Sequence, residues 1–356
     1  INGIKAGYAA GMKVIHIPDT IEINDDIRRL TSVVCHSLSD VPDIIDTWNE
    51  GKVADVEGYY ENAKINRVYV DRVHVKKAFA EYTAAYNADD PKIKLKIDHT
   101  YRVAALCERI AKAAGMCAYD VELAWLSGML HDVGRFEQIK RYNTFSDADS
   151  VDHAKFGADL LFKDGLISTF LNGMVKCTGY KPGALEDRYS SDGVFLYDRL
   201  NKSDMEMLEL AIRCHNMYRI PQGLNSREQA FCNVLRDADK VDIFKVNIDT
   251  PLEEIYNTTT EELMKSDITD EVLEAFDEEH CILKAIRRTP ADTVIGHVSL
   301  AYELVYDESV RITVEQGYLA KLMHFHSDNE ETNRKMAMVR EKMDSYVKKR
   351  IGEKDA

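Results

Sequence analysis

Ser127-Gly128-Met129-Leu130-His131-Asp132-Val133-Gly134-Arg135 is the stretch that decides how this chain reads. An apolar helical run from Val121 to Leu130 ends in a histidine and an aspartate, and Gly134 is expected to stop the helix. Two metal-type ligands at the end of a buried helix are costly to hold in a core. A cation or a hydrogen-bond network has to satisfy them. Such partners have to come from elsewhere in the chain.

The 356 residues are enough for two or more domains, and a hydrophobic content of 45% supplies a sizeable core. Only 7 prolines and long runs of good helix formers predict a mainly α protein. The net charge of −15 argues against general affinity for nucleic-acid backbones or anionic membranes, both of which want clustered positive charge. A local basic pocket for a small phosphorylated ligand is compatible with that total. The 7 cysteines (35, 107, 117, 177, 214, 232 and 281) form no CxxC pair, and several sit in apolar helical patterns. They read as reduced core thiols, so the expected location is the cytoplasm. No apolar run approaches a membrane span, and no signal peptide is read.

Residues 1–50 read as α/β: a helix over Asn2 to Gly11, a short buried strand over Lys13 to Pro18, an apolar run near Val33 and a helix near Val41 to Trp48. A strand without a visible partner marks an incomplete domain, because its backbone groups need a neighbour. Residues 51–74 are read as a linker, 75–345 as the main helical domain, and 346–356 as a charged tail that frays. Within the main domain, helices are expected over Val73 to Tyr86, Asp98 to Gly115, Tyr119 to Asp132, Asp152 to Phe162, Asp204 to Asn216 and Arg227 to Val246.

Polar residues fall on the inward faces of those helices. His99 lies four before Val103 and seven before Leu106; His153 precedes Phe156 and Gly157; His215 follows Ile212 and Ala211. In the run from Leu235 to Asp242, Asp239 is the best inward carboxylate and Asp237 the alternative. A lone histidine on an apolar face is usually a hydrogen-bonded core residue, and Asp132 could be a cap. Five helices that each present an inward His or Asp point to a divalent metal instead.

The run NGIKAGYAAGMKVIHIPD (Asn2 to Asp19) resembles the last helix–strand unit of haloacid-dehalogenase-type, phosphoglucomutase-like phosphatases. That family's nucleophilic aspartate, lysine and acidic metal motif lie upstream of such a unit, so the resemblance implies a remnant of a longer fusion and no activity. The order H…HD…H…H…D, with LHDVGR and RDADKVD around it, resembles the HD-domain superfamily of metal-dependent phosphohydrolases over about residues 75–345. The resemblance implies an all-α helical bundle. It makes His99, His131, Asp132 and Asp239 ligands of one divalent metal, and His153 and His215 the extra histidines of members that hold two, with Asp132 bridging. Mn, Fe, Ni, Co, Zn and Mg are not distinguished. The glycine-tyrosine-proline motif of the cyclic-di-nucleotide phosphodiesterase branch is absent, and the runs RYNTFSDADSVDHA and AIRCHN look like a bacterial branch of undefined substrate.

The expected reaction is hydrolysis of a small phosphate ester, a nucleotide first, by a metal-activated water. The alternatives are a regulatory hydrolase of a nucleotide second messenger and a metal-bound sensor or scaffold with little turnover. Arg135 and Arg102 are the leading candidates to meet the substrate phosphate, followed by Lys155, Arg213 and Lys240. Asn216 and Gln138 are candidates for substrate hydroxyls or water.

Overall fold

The computed structural model describes residues 2–16, 30, 31, 33, 34, 41, 45, 70–171, 202–256 and 258–352. The front segment carries α1 (Asn2–Ala9), β1 (Ile15–His16) and β2 (Val33–Val34). Next come α2 (Arg72–Thr83), α3 (Pro91–Ala113), α4 (Ala118–Leu130), α5 (Val133–Tyr142), α6 (His153–Ala158), α7 (Ile167–Leu171), α8 (Lys202–Cys214) and α9 (Ser226–Asp249). The remaining helices are α10 (Leu252–Tyr256), α11 (Thr260–Lys265), α12 (Asp270–Asp277), α13 (Pro290–Val298), α14 (Asp307–Gln316), α15 (Tyr318–Met323) and α16 (Glu330–Ile351). The architecture is a mainly α bundle, as the sequence predicts.

The bundle is organised by α3, α4 and α9. The N-cap of α3 is Asp90, whose side chain accepts from Lys92 N, and Pro91 fits the first turn, where its missing N–H costs nothing. The helix therefore begins well before the expected Asp98. Val103, Cys107 and Ile110 are fully buried along its inner stripe. In α4, Leu123, Leu126, Met129 and Leu130 are all fully buried, each worth about 1.5–3 kcal/mol. That burial offsets the cost of seating polar residues at the end of this helix. A Cβ on Gly128 would lie 2.6 Å from Ala104 Cα, so this glycine lets α3 and α4 touch backbone to backbone. The adjacent pairs Ala104–Gly128 and His99–His131 show that the two helices run antiparallel. A capping box, Asn225 with Glu228, fixes the start of α9.

Gly134 does not stop the central helix. His131, with φ −57° and ψ −37°, closes α4; Asp132, with φ −107° and ψ 15°, is the N-cap of α5, and Gly134 lies inside α5. What requires glycine there is close approach: a Cβ would lie 2.5 Å from His153 O and 2.7 Å from Gly157 N, both backbone atoms of α6. Gly134→Ala is expected to push α6 away and destabilise the fold by about 1–3 kcal/mol, read as a lowered urea midpoint. An unchanged midpoint would show that α5 and α6 are not in contact.

Three further expectations change. The strand near Lys13 to Pro18 has a neighbour: β1 pairs in parallel with β2, Ile15 opposite Val33 and His16 opposite Val34. The tail is helical as far as Ile351, where Gly352 ends α16 in the left-handed region at φ 78° and Arg350 pairs with Asp307. A π-turn over Asp159–Lys163 follows α6 where a continuous helix is expected. The expected helix near Val41 to Trp48 and most of the expected linker lie outside the described residues.

The helices after α9 dock on it through Asp237. Its carboxylate accepts from Val305 N (2.9 Å), Tyr306 N (3.0 Å) and Ser309 Oγ (2.7 Å). Asp237 thus anchors the carboxy-terminal helices. Two residues on, Asp239 turns to the opposite side, toward His99 and His131.

Candidate metal centre

Four imidazoles and two carboxylates converge where α3, α4, α6 and α9 meet the end of α8. His99, on α3, is 1% exposed; His131, closing α4, is fully buried; Asp132, opening α5, is 2% exposed. His153 is the first residue of α6, and His215 directly follows α8.

The rings are held from behind. His99 Nδ1 donates to Asp242 Oδ2 (2.6 Å), and His131 Nδ1 donates to Gly128 O (2.8 Å). His153 Nδ1 donates to Asp147 Oδ2 (2.6 Å), and His215 Nδ1 donates to Ile212 O (2.7 Å). An acceptor behind Nδ1 keeps the ring proton there and leaves the Nε2 lone pair pointing inward. The inward atoms pair closely: Nε2 of His99 and His131 lie 3.3 Å apart, and Nε2 of His153 and His215 lie 3.1 Å apart. Lone pairs at such separations repel unless a positive centre lies between them.

The carboxylates complete two clusters. Asp132 Oδ2 is 3.5 Å from Nε2 of both His99 and His131, and Asp239 Oδ1 is 3.2 Å from His99 Nε2. On the other side, Asp132 Oδ1 is 3.6 Å from His153 Nε2 and 3.8 Å from His215 Nε2. It is buried and has no hydrogen-bond partner among the described residues. A buried orphan acceptor beside two inward lone pairs fits a cation. His99, His131 and Asp239 lie within metal-ligating reach of one another, and so do His131, Asp132 and His215. A third acidic cluster, Asp147, Asp152 and His153, is satisfied internally: His153 bonds Asp147, and Asn216 Nδ2 donates to Asp152 Oδ1 (2.9 Å).

Electrostatics agree with metal binding. Burial alone would raise the Asp132 carboxyl, but the charges of Lys96, His131, His153 and Arg135 hold it well below its usual value. Asp239 is likewise lowered against burial, by the neighbouring His99, His131 and His215. Burial, then the neighbouring Arg135, pushes His153 down to about 4. Burial, then His131, pushes His215 down to about 4. Both are neutral at neutral pH, the form that a metal would need. His99 goes the other way: burial and Lys96 lower it, but Asp239 and Asp242 raise it overall.

These shifts set a pH dependence for the chelator-stripped protein. The unfolded chain protonates His153 and His215 near 6.5, the folded chain only near 4. Stability from these two rings is therefore complete above 6.5 and lost as pH falls toward about 4, at up to about 1.4 kcal/mol per pH unit per proton. His99, being raised, opposes part of this loss. The thermal midpoint is expected to drop over this window, and to drop less in the His153→Asn/His215→Asn variant. An equal drop in both proteins would refute the linkage.

The expected phosphate cations are placed as follows. Arg102 is occupied by Asp242, with Nε at 2.6 Å and one terminal nitrogen at 2.9 Å, so it braces the carboxylate that orients His99. One nitrogen of Arg135 donates to Gln138 Oε1 (2.7 Å), Phe145 O (2.7 Å) and Asp147 Oδ1 (2.9 Å). Gln138 donates in turn to Asp147, Ser150 and Val151 O, so both residues hold the loop that presents Asp147 to His153. Lys155 is exposed and pairs with Asp152, and Arg213 pairs with Asp159 and Glu209. Lys240 is buried, and burial with the neighbouring Arg236 lowers it to about 8.

Sequence reasoning missed three residues of the centre. Lys96 Nζ donates to Asp132 Oδ2 (2.7 Å), Asp242 orients His99, and Asp147 orients His153. A signal existed for two of them: Lys96 lies three residues before His99 and Asp242 three after Asp239, each on its ligand's helix face.

The family model of the HD domain matches residues 97–246, a stretch that contains all six converging residues. It supports a place in the HD superfamily, whose members are generally metal-dependent phosphohydrolases. The match does not reach the first 96 residues, so the phosphatase-like resemblance there rests on sequence alone. No curated protein and no solved structure matches the chain.

Proposed function

We propose that the protein is a metal-dependent phosphohydrolase that cleaves a phosphate ester of a small molecule, in the first place a nucleotide, in the reducing cytoplasm. The observation that carries this reading is the inward convergence of four Nε2 lone pairs on the two oxygens of Asp132, one of which is a buried orphan. His99, His131, Asp132 and Asp239 would hold one divalent cation; Asp132, His153 and His215 would hold a second. Such cations supply an activated water and relieve charge on the phosphoryl oxygens. The chain's own part is to aim the ligands and to favour the deprotonated forms of His131, Asp132, His153, His215 and Asp239. Asp242, braced by Arg102, orients His99; Asp147, braced by Arg135 and Gln138, orients His153; backbone carbonyls orient His131 and His215. The net charge of −15 supports a small substrate over a nucleic acid.

The test is elemental analysis of the purified protein, followed by a screen of nucleotides and phosphomonoesters for phosphate release. His131→Ala and Asp132→Ala serve as controls. Bound metal and activity that both variants lose are expected. Activity unchanged in both variants would overturn the reading, as would metal-free protein that does not respond to Mn²⁺, Co²⁺, Ni²⁺ or Fe²⁺.

A further inference from the structure

Lys96 stands beside the carboxylate that faces both clusters. Its Nζ lies 2.7 Å from Asp132 Oδ2, the oxygen that faces His99 and His131. Its side chain is 17% exposed, against 2% for Asp132, so it reaches the centre from the open side. Asp239 is the most exposed of the proposed ligands, at 16%. Phe145 borders this approach, with Lys96 Nζ 5.5 Å and Arg135 Cζ 5.6 Å from its ring centre.

The other cations of the neighbourhood already hold carboxylates. Arg102 pairs with Asp242, and Arg135 with Asp147 and, more distantly, with Asp132 Oδ1 at 3.8 Å. Lys96 makes the short contact with a proposed ligand, 2.7 Å to Asp132 Oδ2. Once divalent cations sit against Asp132, an ammonium beside the same oxygen is repelled by them, and its charge no longer serves to neutralise that carboxylate. A lysine held there gains its strongest partner when an anion arrives between it and the metals. Its three donors suit the non-bridging oxygens of a phosphoryl group. Resting on the phosphohydrolase reading above, we infer that Lys96 is the substrate-binding residue that grips the phosphoryl group, while Arg135 and Arg102 are positioning residues for the ligands.

The test compares wild type, Lys96→Met and Lys96→Arg, each loaded with Mn²⁺, for metal content, thermal midpoint and affinity for inorganic phosphate by calorimetry. Lys96→Met is expected to keep its full Mn²⁺ content and bind phosphate about 10²-fold more weakly; Lys96→Arg should recover most of the affinity. Phosphate affinity equal in wild type and Lys96→Met overturns the inference, as does a wild type that holds Mn²⁺ but not phosphate. A Lys96→Met protein that loses metal or fails to fold also overturns it, since that is the behaviour of a structural counter-ion. A wild type that binds no metal defeats instead the phosphohydrolase reading beneath it.

Discussion

Asp132→Ala is expected to purify with neither metal and to release phosphate at least about 10³-fold more slowly than the wild type. The reason is that its two oxygens face opposite clusters. Oδ2 lies toward His99 and His131, and Oδ1 toward His153 and His215. No other carboxylate among the described residues spans both. His153→Ala makes the informative contrast, because it removes one ring from the second cluster and leaves His99, His131, Asp132 and Asp239 in place. That variant should retain about one metal equivalent where Asp132→Ala retains none. Circular dichroism on the same samples separates lost metal from lost fold. An Asp132→Ala protein that still binds both metals would show that the bridging assignment is wrong.

Asp237→Ala is expected to be the most destabilising single change outside the metal centre, by about 3–5 kcal/mol. The carboxylate is fully buried and accepts from two backbone N–H groups and the Ser309 hydroxyl. Removing it leaves all three donors unpaired in the interior, where each orphan costs about 1–3 kcal/mol. Burial already raises the Asp237 carboxyl in spite of its donors and the nearby charge of Lys240, a sign of how dry the position is. The paired control is Asp239→Ala, two residues along the same helix. It should lose metal while its chelator-stripped midpoint stays within about 1 kcal/mol of wild type. A midpoint for Asp237→Ala equal to that of Asp239→Ala would refute the docking role.

The same pair shows what the sequence could and could not convey. Both aspartates fit an inward position on α9, because the helix is buried on more than one side and periodicity does not say which side meets the metal ligands. The answer depends on Val305, Tyr306 and Ser309, which arrive from far along the chain. The stripes of α3 and α4 were legible because Val103, Cys107, Ile110 and the Leu123–Leu130 run repeat at helical spacing. The convergence of His99, His131, Asp132, His153, His215 and Asp239 followed from placing each on an inward face. Lys96 shares the face of His99, but a lysine in the run Lys92, Lys94, Lys96 looks like a solvated charge until Asp132 is seen opposite it. Gly134 was misread as a stop because glycine is common at helix ends, whereas here it serves contact with His153 and Gly157. The partner of β1 escaped notice because Val33–Val34 is only two residues long.

The two clusters are supplied by different parts of the bundle. His99, His131 and Asp239 come from α3, the close of α4 and α9, whereas His153 and His215 belong to α6 and the end of α8; Asp132 is the carboxylate that faces both. This division makes the centre modular in construction. Changes in α6, or in the turn after α8, can remove the second ligand pair without disturbing the frame that carries the first. Replacing His153 and His215 would take away the second pair of rings while His99, His131, Asp132 and Asp239 keep their places on the other helices. Asp132, with one oxygen toward each pair, is where a single substitution would reach both.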